Sequence, residues 1–264
     1  MKDVTMASSR ARWSGGRRRT ARRVAAALVA TAALAAHAQG TPGWSFEFTP
    51  YLWGARLGGD TSIAGLPTPP AAVEAAFSDI FSHLSAGAMG TFEARHGRWA
   101  FIGDAMYIRL EDTFTTDRQR FGDVSGRITQ QMYAATAAYR VNDAPAAVDV
   151  LGGVRYNDIE VGLATTGGLL PPNSASESRG WADAIVGVRV LAPIAPDWSL
   201  LGYVDVGGGG SKFTWQAIAG ASYAFNDTWA MKFGYRYLKV DYDKDQFLYD
   251  MATQGPYIGV GIRF

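Results

Sequence analysis

The chain has 264 residues, no cysteine and a formal net charge of +1. The lack of cysteine excludes a disulfide framework. Eight of the 25 Lys and Arg residues but one of the 24 Asp and Glu residues precede position 39, so the remainder has 17 basic and 23 acidic residues. This acidic balance excludes a basic surface that would bind nucleic acid.

The first segment has the layout of a secretory signal peptide. Seven arginines between positions 10 and 23 precede an apolar run over residues 24–36, and Ala36-His37-Ala38 follows the pattern of a cleavage site. The apolar run is shorter than the roughly 20 residues that a membrane-spanning helix needs. We therefore expect residues 1–38 to be cleaved and residues 39–264 to form one domain.

Side chains after position 39 alternate between apolar and polar with a period of two. Apolar residues from Val148 to Tyr156 alternate with Asp149 and Arg155, and residues 229–238 show the same alternation. A β-barrel in lipid has this pattern, with its large apolar side chains facing outward and its polar side chains facing inward. Ten strands are predicted, over residues 44–55, 85–95, 98–111, 125–141, 146–161, 178–191, 198–206, 211–225, 228–241 and 254–264.

Short turns alternate with longer polar connections between these strands. The short turns are predicted at residues 96–97, 142–145, 193–197 and 226–227. The run Gly207–Gly210 lacks the Gly-Lys-Ser/Thr ending of a phosphate-binding loop, so it predicts a tight turn or a bulge. The predicted fold is all-β, a closed antiparallel transmembrane β-barrel of about ten strands, with eight or twelve strands as alternatives.

The first long connection predicts one short amphipathic helix between Pro69 and Leu84. Val73, Phe77, Ile80, Phe81 and Leu84 recur at helical spacing, with polar residues between them. Such a helix would cap the barrel or act as a gate.

Aromatic residues cluster where the strands are expected to cross the membrane interfaces. This set includes Trp44, Tyr51, Trp53, Trp99, Trp198 and Trp229. The alternative is a soluble core that is rich in aromatic residues.

Apolar residues occupy every second position at the end of the chain, namely Ile258, Val260, Ile262 and Phe264. This pattern resembles the terminal-strand signature of Gram-negative outer-membrane proteins. The resemblance implies recognition by the barrel assembly machinery, with periplasmic chaperones during biogenesis.

Four longer stretches resemble a group of small proteobacterial outer-membrane β-barrel proteins. They are TPYLWGARLGGD over Thr49–Asp60 and the stretches over residues 87–112, 151–158 and 205–243. The resemblance implies the barrel fold, a location in the bacterial outer membrane, and contact with outer-membrane lipid and lipopolysaccharide. It implies no activity, cofactor or oligomeric state.

Charged residues of both signs are predicted to face the barrel lumen. They nearly balance, so pairing across the interior would form a salt-bridge plug, with a charge-lined conducting pore as the alternative. The predicted lumen charges are Glu47, Glu93, Arg95, Asp104, Arg140, Asp149, Arg155, Asp183, Arg189, Asp205, Lys232, Arg236 and Arg263.

No catalytic or metal-binding residues are predicted. The three histidines are His37 in the leader, His96 in a predicted turn and His83 on the predicted helix, and none of them neighbours a serine and an acid on a strand. His83 and Asp79 are too few ligands for a metal site. The leading hypothesis is a non-enzymatic envelope protein, closed or narrowly conducting. A small porin-like channel for polar solutes and an outer-membrane enzyme acting on lipid or peptide are the alternatives.

Overall fold

A computed structural model describes residues 43–62, 71–75, 84–114, 124–165, 173–244 and 247–264. The predicted signal peptide lies outside these residues. No helix among them has the length and apolar character needed to cross a membrane.

The described residues form twelve β-strands. They are β1 Trp44–Trp53, β2 Arg56–Ser62, β3 Ala71–Ala75, β4 Leu84–His96, β5 Trp99–Phe114, β6 Val124–Asn142, β7 Ala147–Thr165, β8 Asn173–Ala195, β9 Trp198–Gly209, β10 Phe213–Ala224, β11 Trp229–Lys244 and β12 Phe247–Arg263.

The strands close into a barrel. Each strand from β4 to β12 pairs antiparallel with the next, and β1 pairs with both β4 and β12. β1 and β2 are two parts of one wall strand, because both pair with β12 and the Gly54 amide donates to the Pro256 carbonyl between them, at 2.7 Å. The wall therefore has ten strands, which confirms the predicted fold and strand number.

β3 is an extra strand outside this count. The β1–β4 ladder ends at the pair Pro50↔Gly90, and β3 pairs instead with the neighbouring edge of β2, from Leu57↔Ala75 to Thr61↔Ala71. Pairing satisfies backbone groups of β2 that β4 does not reach.

The prediction of a helix between Pro69 and Leu84 is wrong for the first and the last of its apolar residues. Val73 lies in β3, and Leu84 is the first residue of β4. Hydrogen bonding to the free edge of β2 favours a strand here, and helical spacing is a weak local signal that such tertiary contacts override. Phe77, Ile80 and Phe81 lie outside the described residues.

The outward face of the wall is apolar. Outward residues alternate along each strand with inward residues that are mostly buried. This face suits contact with hydrocarbon. It includes Leu52, Phe101, Val150, Val154, Val186, Val188, Leu200, Val204, Val206, Ile258 and Val260.

The four connections after β4, β6, β8 and β10 have two to four residues each and lie at one end of the barrel, which we call the short-turn end. Aromatic residues ring the outer wall there: Trp99 packs against Tyr139 and Trp198 against Tyr223, each with ring centroids 5.0 Å apart. Such a belt is typical of a membrane interface. Tyr51 does not belong to it, because it faces inward and is buried.

Trp53 likewise faces inward, so the prediction of a position at the membrane interface is wrong for Tyr51 and Trp53. They share the inward parity of Glu47 and Thr49, and alternation carries them into the lumen.

Candidate functional site

All thirteen predicted lumen charges take part in contacts on the inward side of the wall. At the short-turn end, Asp149 accepts hydrogen bonds from three arginines on three different strands. Arg140 Nε lies 2.8 Å from one carboxylate oxygen, while Arg95 Nη2 and Arg189 Nη2 lie 2.8 and 2.7 Å from the other. Asp149 thus links β7 to its neighbours β6 and β8 and, through Arg95, to the more distant strand β4.

Glu93 is the second carboxylate of this group. Arg189 donates to both of its oxygens, at 2.6 and 3.0 Å, and Arg95 donates at 3.1 Å. We call Glu93, Arg95, Arg140, Asp149 and Arg189 the turn-end charge cluster. Three cations face two anions, and the fork-shaped guanidinium groups bridge the carboxylates in a connected network.

A smaller group lies beside the closing seam between β1 and β12. Glu47 accepts from Arg263 Nε at 2.9 Å, and it also forms an ion pair with Lys232 on β11. These charges join the first and last strands of the wall.

Arg236 occupies the middle of the lumen. Its guanidinium donates to Gln216 at 2.7 Å and to the Tyr51 hydroxyl at 2.7 Å, and the Tyr51 hydroxyl donates to Asp104 at 3.1 Å. The guanidinium carbon also lies 4.9 Å from the centroid of the Trp53 ring, a cation–π contact. Arg236 therefore links the polar centre of the lumen to the aromatic side chains next to it.

Arg155 and Asp205 form the most buried ion pair, with Nη2 and Oδ2 2.6 Å apart. Tyr203 donates its hydroxyl to the same carboxylate oxygen at 2.7 Å. Gly187 lies opposite Asp205, and a Cβ at Gly187 would come within 2.9 Å of the Asp205 Cβ. The absence of a side chain at Gly187 makes room for this pair inside a narrow lumen.

Asp183 is placed differently from the other lumen acids. It is fully buried, and among the described residues the only hydrogen bond to its carboxylate comes from the backbone amide of Ser211, at 2.7 Å. Its Oδ2 atom has no hydrogen-bond partner there.

Beyond the central charges, toward the end opposite the short turns, most of the buried side chains in the lumen are apolar. A single cluster of buried side chains fills it, and we call this the apolar cluster. The alternation pattern did not predict it, because large apolar side chains were expected to face lipid; the shared parity of Ile108 with Asp104 is the signal that could have revealed it. It includes Tyr51, Trp53, Met106, Ile108, Met132, Ile159, Trp181, Leu238, Tyr242, Phe247, Tyr249 and Met251.

The residues considered for catalysis do not assemble into a site within the described part of the chain. His96 ends β4 and packs against Trp44, with ring centroids 5.0 Å apart, and His83 lies outside the described residues. No group of three or more acidic or histidine side chains is placed to hold a metal ion among the residues that were described.

The residues of the terminal signature lie on β12, apart from Phe264, which follows it. Ile258 and Val260 are exposed on the outward face. Ile262 shares their parity and pairs with Phe48 of β1. Recognition of this signature by assembly machinery stays a prediction.

The comparison with known families agrees with this architecture. The family described as outer membrane protein beta-barrel domain matches residues 24–264. No curated protein matches the sequence.

Several solved structures are similar in fold. The outer membrane protease OmpT from Escherichia coli has a TM-score of 0.52 and 8% identity, covering 85% of this chain and 98% of that chain. The translocator domain of the autotransporter NalP from Neisseria meningitidis has a TM-score of 0.46 and 16% identity, covering 93% and 97%. Ail, the attachment invasion locus protein of Yersinia pestis, has a TM-score of 0.35 and 13% identity, covering 85% and 100%. At such identities the likeness concerns the fold alone.

Proposed function

Because the chain belongs to the outer membrane protein beta-barrel domain family, we propose that it is a closed, non-enzymatic barrel of the bacterial outer membrane. Its role under this proposal is envelope integrity or surface interaction, and not passage of solutes.

The occupied lumen carries this proposal. The turn-end charge cluster crosses the lumen at one level, Arg236 and Asp205 occupy the middle, and the apolar cluster fills the section beyond them. A water-filled channel needs a continuous polar path, and buried, mutually bonded side chains at successive levels interrupt such a path.

Planar-bilayer recording tests the closure. The protein would be refolded in detergent, checked for barrel formation by its heat-dependent shift on gels, and inserted into bilayers. We expect no conductance steps from the unmodified chain. Regular steps would contradict the proposal and favour a small diffusion channel for polar solutes.

A comparison of lipid A tests the absence of enzymatic activity on lipid. Lipid A extracted from cells with and without the gene would be compared by mass spectrometry. We expect identical profiles; a changed acyl pattern that the wild-type gene restores would contradict the non-enzymatic role.

The proposal includes contact of the outward face with outer-membrane lipid and lipopolysaccharide, and assembly through the terminal signature. Phe264→Ala is expected to lower the amount of heat-modifiable barrel in the membrane fraction, while Phe225→Ala, at an exposed turn residue, serves as the control. Equal amounts of barrel for both variants would count against the signature.

A further inference from the structure

The barrel rim is low at the connection between β9 and β10. These two strands have 12 residues each, whereas their neighbours β8 and β11 have 23 and 16. The β8–β9 ladder therefore stops at Asp183↔Gly209, and the β10–β11 ladder stops at Phe213↔Asp241.

Two aromatic rings span this low section. Trp181 of β8 and Tyr242 of β11 lie just beyond the ends of the ladders, and their rings stack with centroids 4.3 Å apart. The wall is thus bridged above the β9–β10 turn by side chains and not by backbone pairing.

The turn itself is bonded to both neighbours. The backbone amide of Gly210 donates to the Ala182 carbonyl at 2.9 Å, and the backbone amide of Lys212 donates to the Asp241 carbonyl at 2.8 Å. A hydrogen bond of the Lys212 ammonium to Asp243 raises the pKa of Lys212. A Cβ at Gly210 would come within 2.6 Å of the Ala182 carbonyl oxygen, so this close approach requires glycine. The turn thereby holds Ser211 inside the barrel.

Trp181 and four buried side chains beneath the aromatic pair lie together, and each of the five has a polar atom without a hydrogen-bond partner among the described residues. Arg155 and Asp183 are cross-strand partners, and Asn157 and Trp181 form the next inward pair along the same strands. Ser211 joins them through its amide bond to Asp183. We call these five residues the rim pocket. The unpartnered atoms are Arg155 Nε, Asn157 Nδ2, Trp181 Nε1, Asp183 Oδ2 and Ser211 Oγ.

Asp183 is a fully buried carboxylate without an ion-pair partner among the described residues. Arg155 is the cation beside it, and its two terminal nitrogens bond Asp205 and Thr214, at 2.6 and 3.3 Å. Arg155 therefore pairs with Asp205, and no ion pair neutralises the Asp183 carboxylate in the described part of the chain. A buried carboxylate that is not neutralised is costly, and unpaired buried donors add to that cost.

We propose that the rim pocket binds a small solute that carries a primary ammonium group beside a hydroxyl or carboxylate group. The ammonium donates to Asp183 Oδ2 and neutralises the carboxylate. The neighbouring oxygen of the solute accepts from Asn157 Nδ2 and Trp181 Nε1. Rotation of the Trp181 and Tyr242 side chains admits the solute from the end opposite the short turns. This inference goes beyond the closed-barrel proposal and holds whether or not the lumen conducts.

Calorimetric titration of the refolded chain with ethanolamine tests the proposal. We expect saturable binding and a rise in the thermal unfolding midpoint. Asp183→Asn keeps the shape but removes the charge, so we expect it to weaken binding by about tenfold or more. Asp143→Asn, at an exposed acid of the short-turn end, is the matched control and is expected to bind like the unmodified chain.

Neutral and inorganic probes separate the ammonium from other occupants. Ethylene glycol has the hydroxyl groups without the charge, and sodium chloride supplies a cation without the donors; neither is expected to reproduce the ethanolamine effect. Absence of saturable ethanolamine binding would overturn the proposal. An equal response to ethylene glycol or sodium, or unchanged affinity in Asp183→Asn, would overturn it as well.

A second variant keeps the test usable if Asp183→Asn does not fold. Trp181→Phe retains an aromatic ring against Tyr242 but removes the Nε1 donor. We expect it to fold and to bind ethanolamine several-fold more weakly, and unchanged affinity in this variant would contradict the assigned geometry.

Discussion

At the scale of single residues, Asp149 is the acceptor on which the turn-end charge cluster depends. Its buried carboxylate accepts hydrogen bonds from three guanidinium groups, which belong to β4, β6 and β8. No other carboxylate in the described lumen bonds arginines from three strands.

Asp149→Ala is expected to reduce the free energy of unfolding by about 3 to 5 kcal/mol, because three arginines lose the buried carboxylate that they share and Glu93 remains as a partner for two of them. Urea unfolding of the refolded barrel in detergent, followed by tryptophan fluorescence, measures this change. Asp143→Ala is the control: the exposed Asp143 carboxylate lies 3.5 Å from Arg98 and 3.8 Å from Arg140, and ion pairs of exposed carboxylates contribute about 0 to 1 kcal/mol. Equal losses for the two variants would contradict the central position of Asp149.

At the scale of elements, β9 shows how the wall accommodates its contents. Its outward positions include Val204 and Val206, whereas its inward positions pass from Tyr203 and Asp205 to Gly207. Gly207 lies against β8, where a Cβ would come within 2.2 Å of the Ala184 carbonyl oxygen. Gly202 on the same strand faces outward, and a Cβ added there would meet no atom within 4 Å.

Gly207→Val is therefore expected to destabilise the barrel by about 1 to 3 kcal/mol through overpacking. Gly202→Val is expected to be neutral or slightly stabilising, because β-branched residues suit an exposed strand position. Urea midpoints of both variants measure the difference. If Gly202→Val were the more damaging change, the assigned faces of β9 would be reversed.

At the scale of the whole molecule, the barrel has an apolar exterior and an interior that contains both ion pairs and an apolar cluster. The exterior suits hydrocarbon, and the closed ladder gives the backbone groups of the wall partners that lipid does not supply.

Val204→Arg tests this orientation. Val204 is exposed on the outward face, six residues from Trp198 of the aromatic belt. An arginine near the middle of the apolar band is expected to cost about 2 to 4 kcal/mol in a lipid bilayer. Val141→Arg, at the short-turn end, is expected to cost about 0 to 1 kcal/mol. Refolding yield and urea unfolding in lipid vesicles give the comparison, and equal costs would contradict the depth assigned to Val204.

Opening of the lumen is a second prediction at this scale. If charged side chains alone closed the lumen, the loss of Arg236 would allow ions to pass. The apolar cluster lies beyond Arg236 and forms a second barrier. We therefore expect no conductance steps from Arg236→Ala, and steps from a variant that also carries Trp53→Ala and Tyr249→Ala. Steps from Arg236→Ala alone would show that the apolar cluster does not close the lumen.

The strands and the lumen charges were accessible to sequence reasoning for a local reason. Alternation with a period of two fixes which residues share a face, so Asp149, Arg155, Arg189 and Arg236 could be placed on one side of the wall. The positions of the turns then divided the chain into ten predicted strands. β3 was not accessible, because its pairing depends on the edge of β2, which stays open beyond the point where β4 stops pairing with β1.

By itself, the sequence determined an antiparallel barrel with an apolar exterior and ionic side chains inside, since both properties follow from residue order along each strand. Only the tertiary structure decided what fills the lumen. Trp53, Trp181 and Tyr249 are as apolar as the residues that face lipid, and alternation within one strand does not say which large rings meet across the interior. That depends on the closure of ten strands, which brings β1, β8 and β12 together around one space.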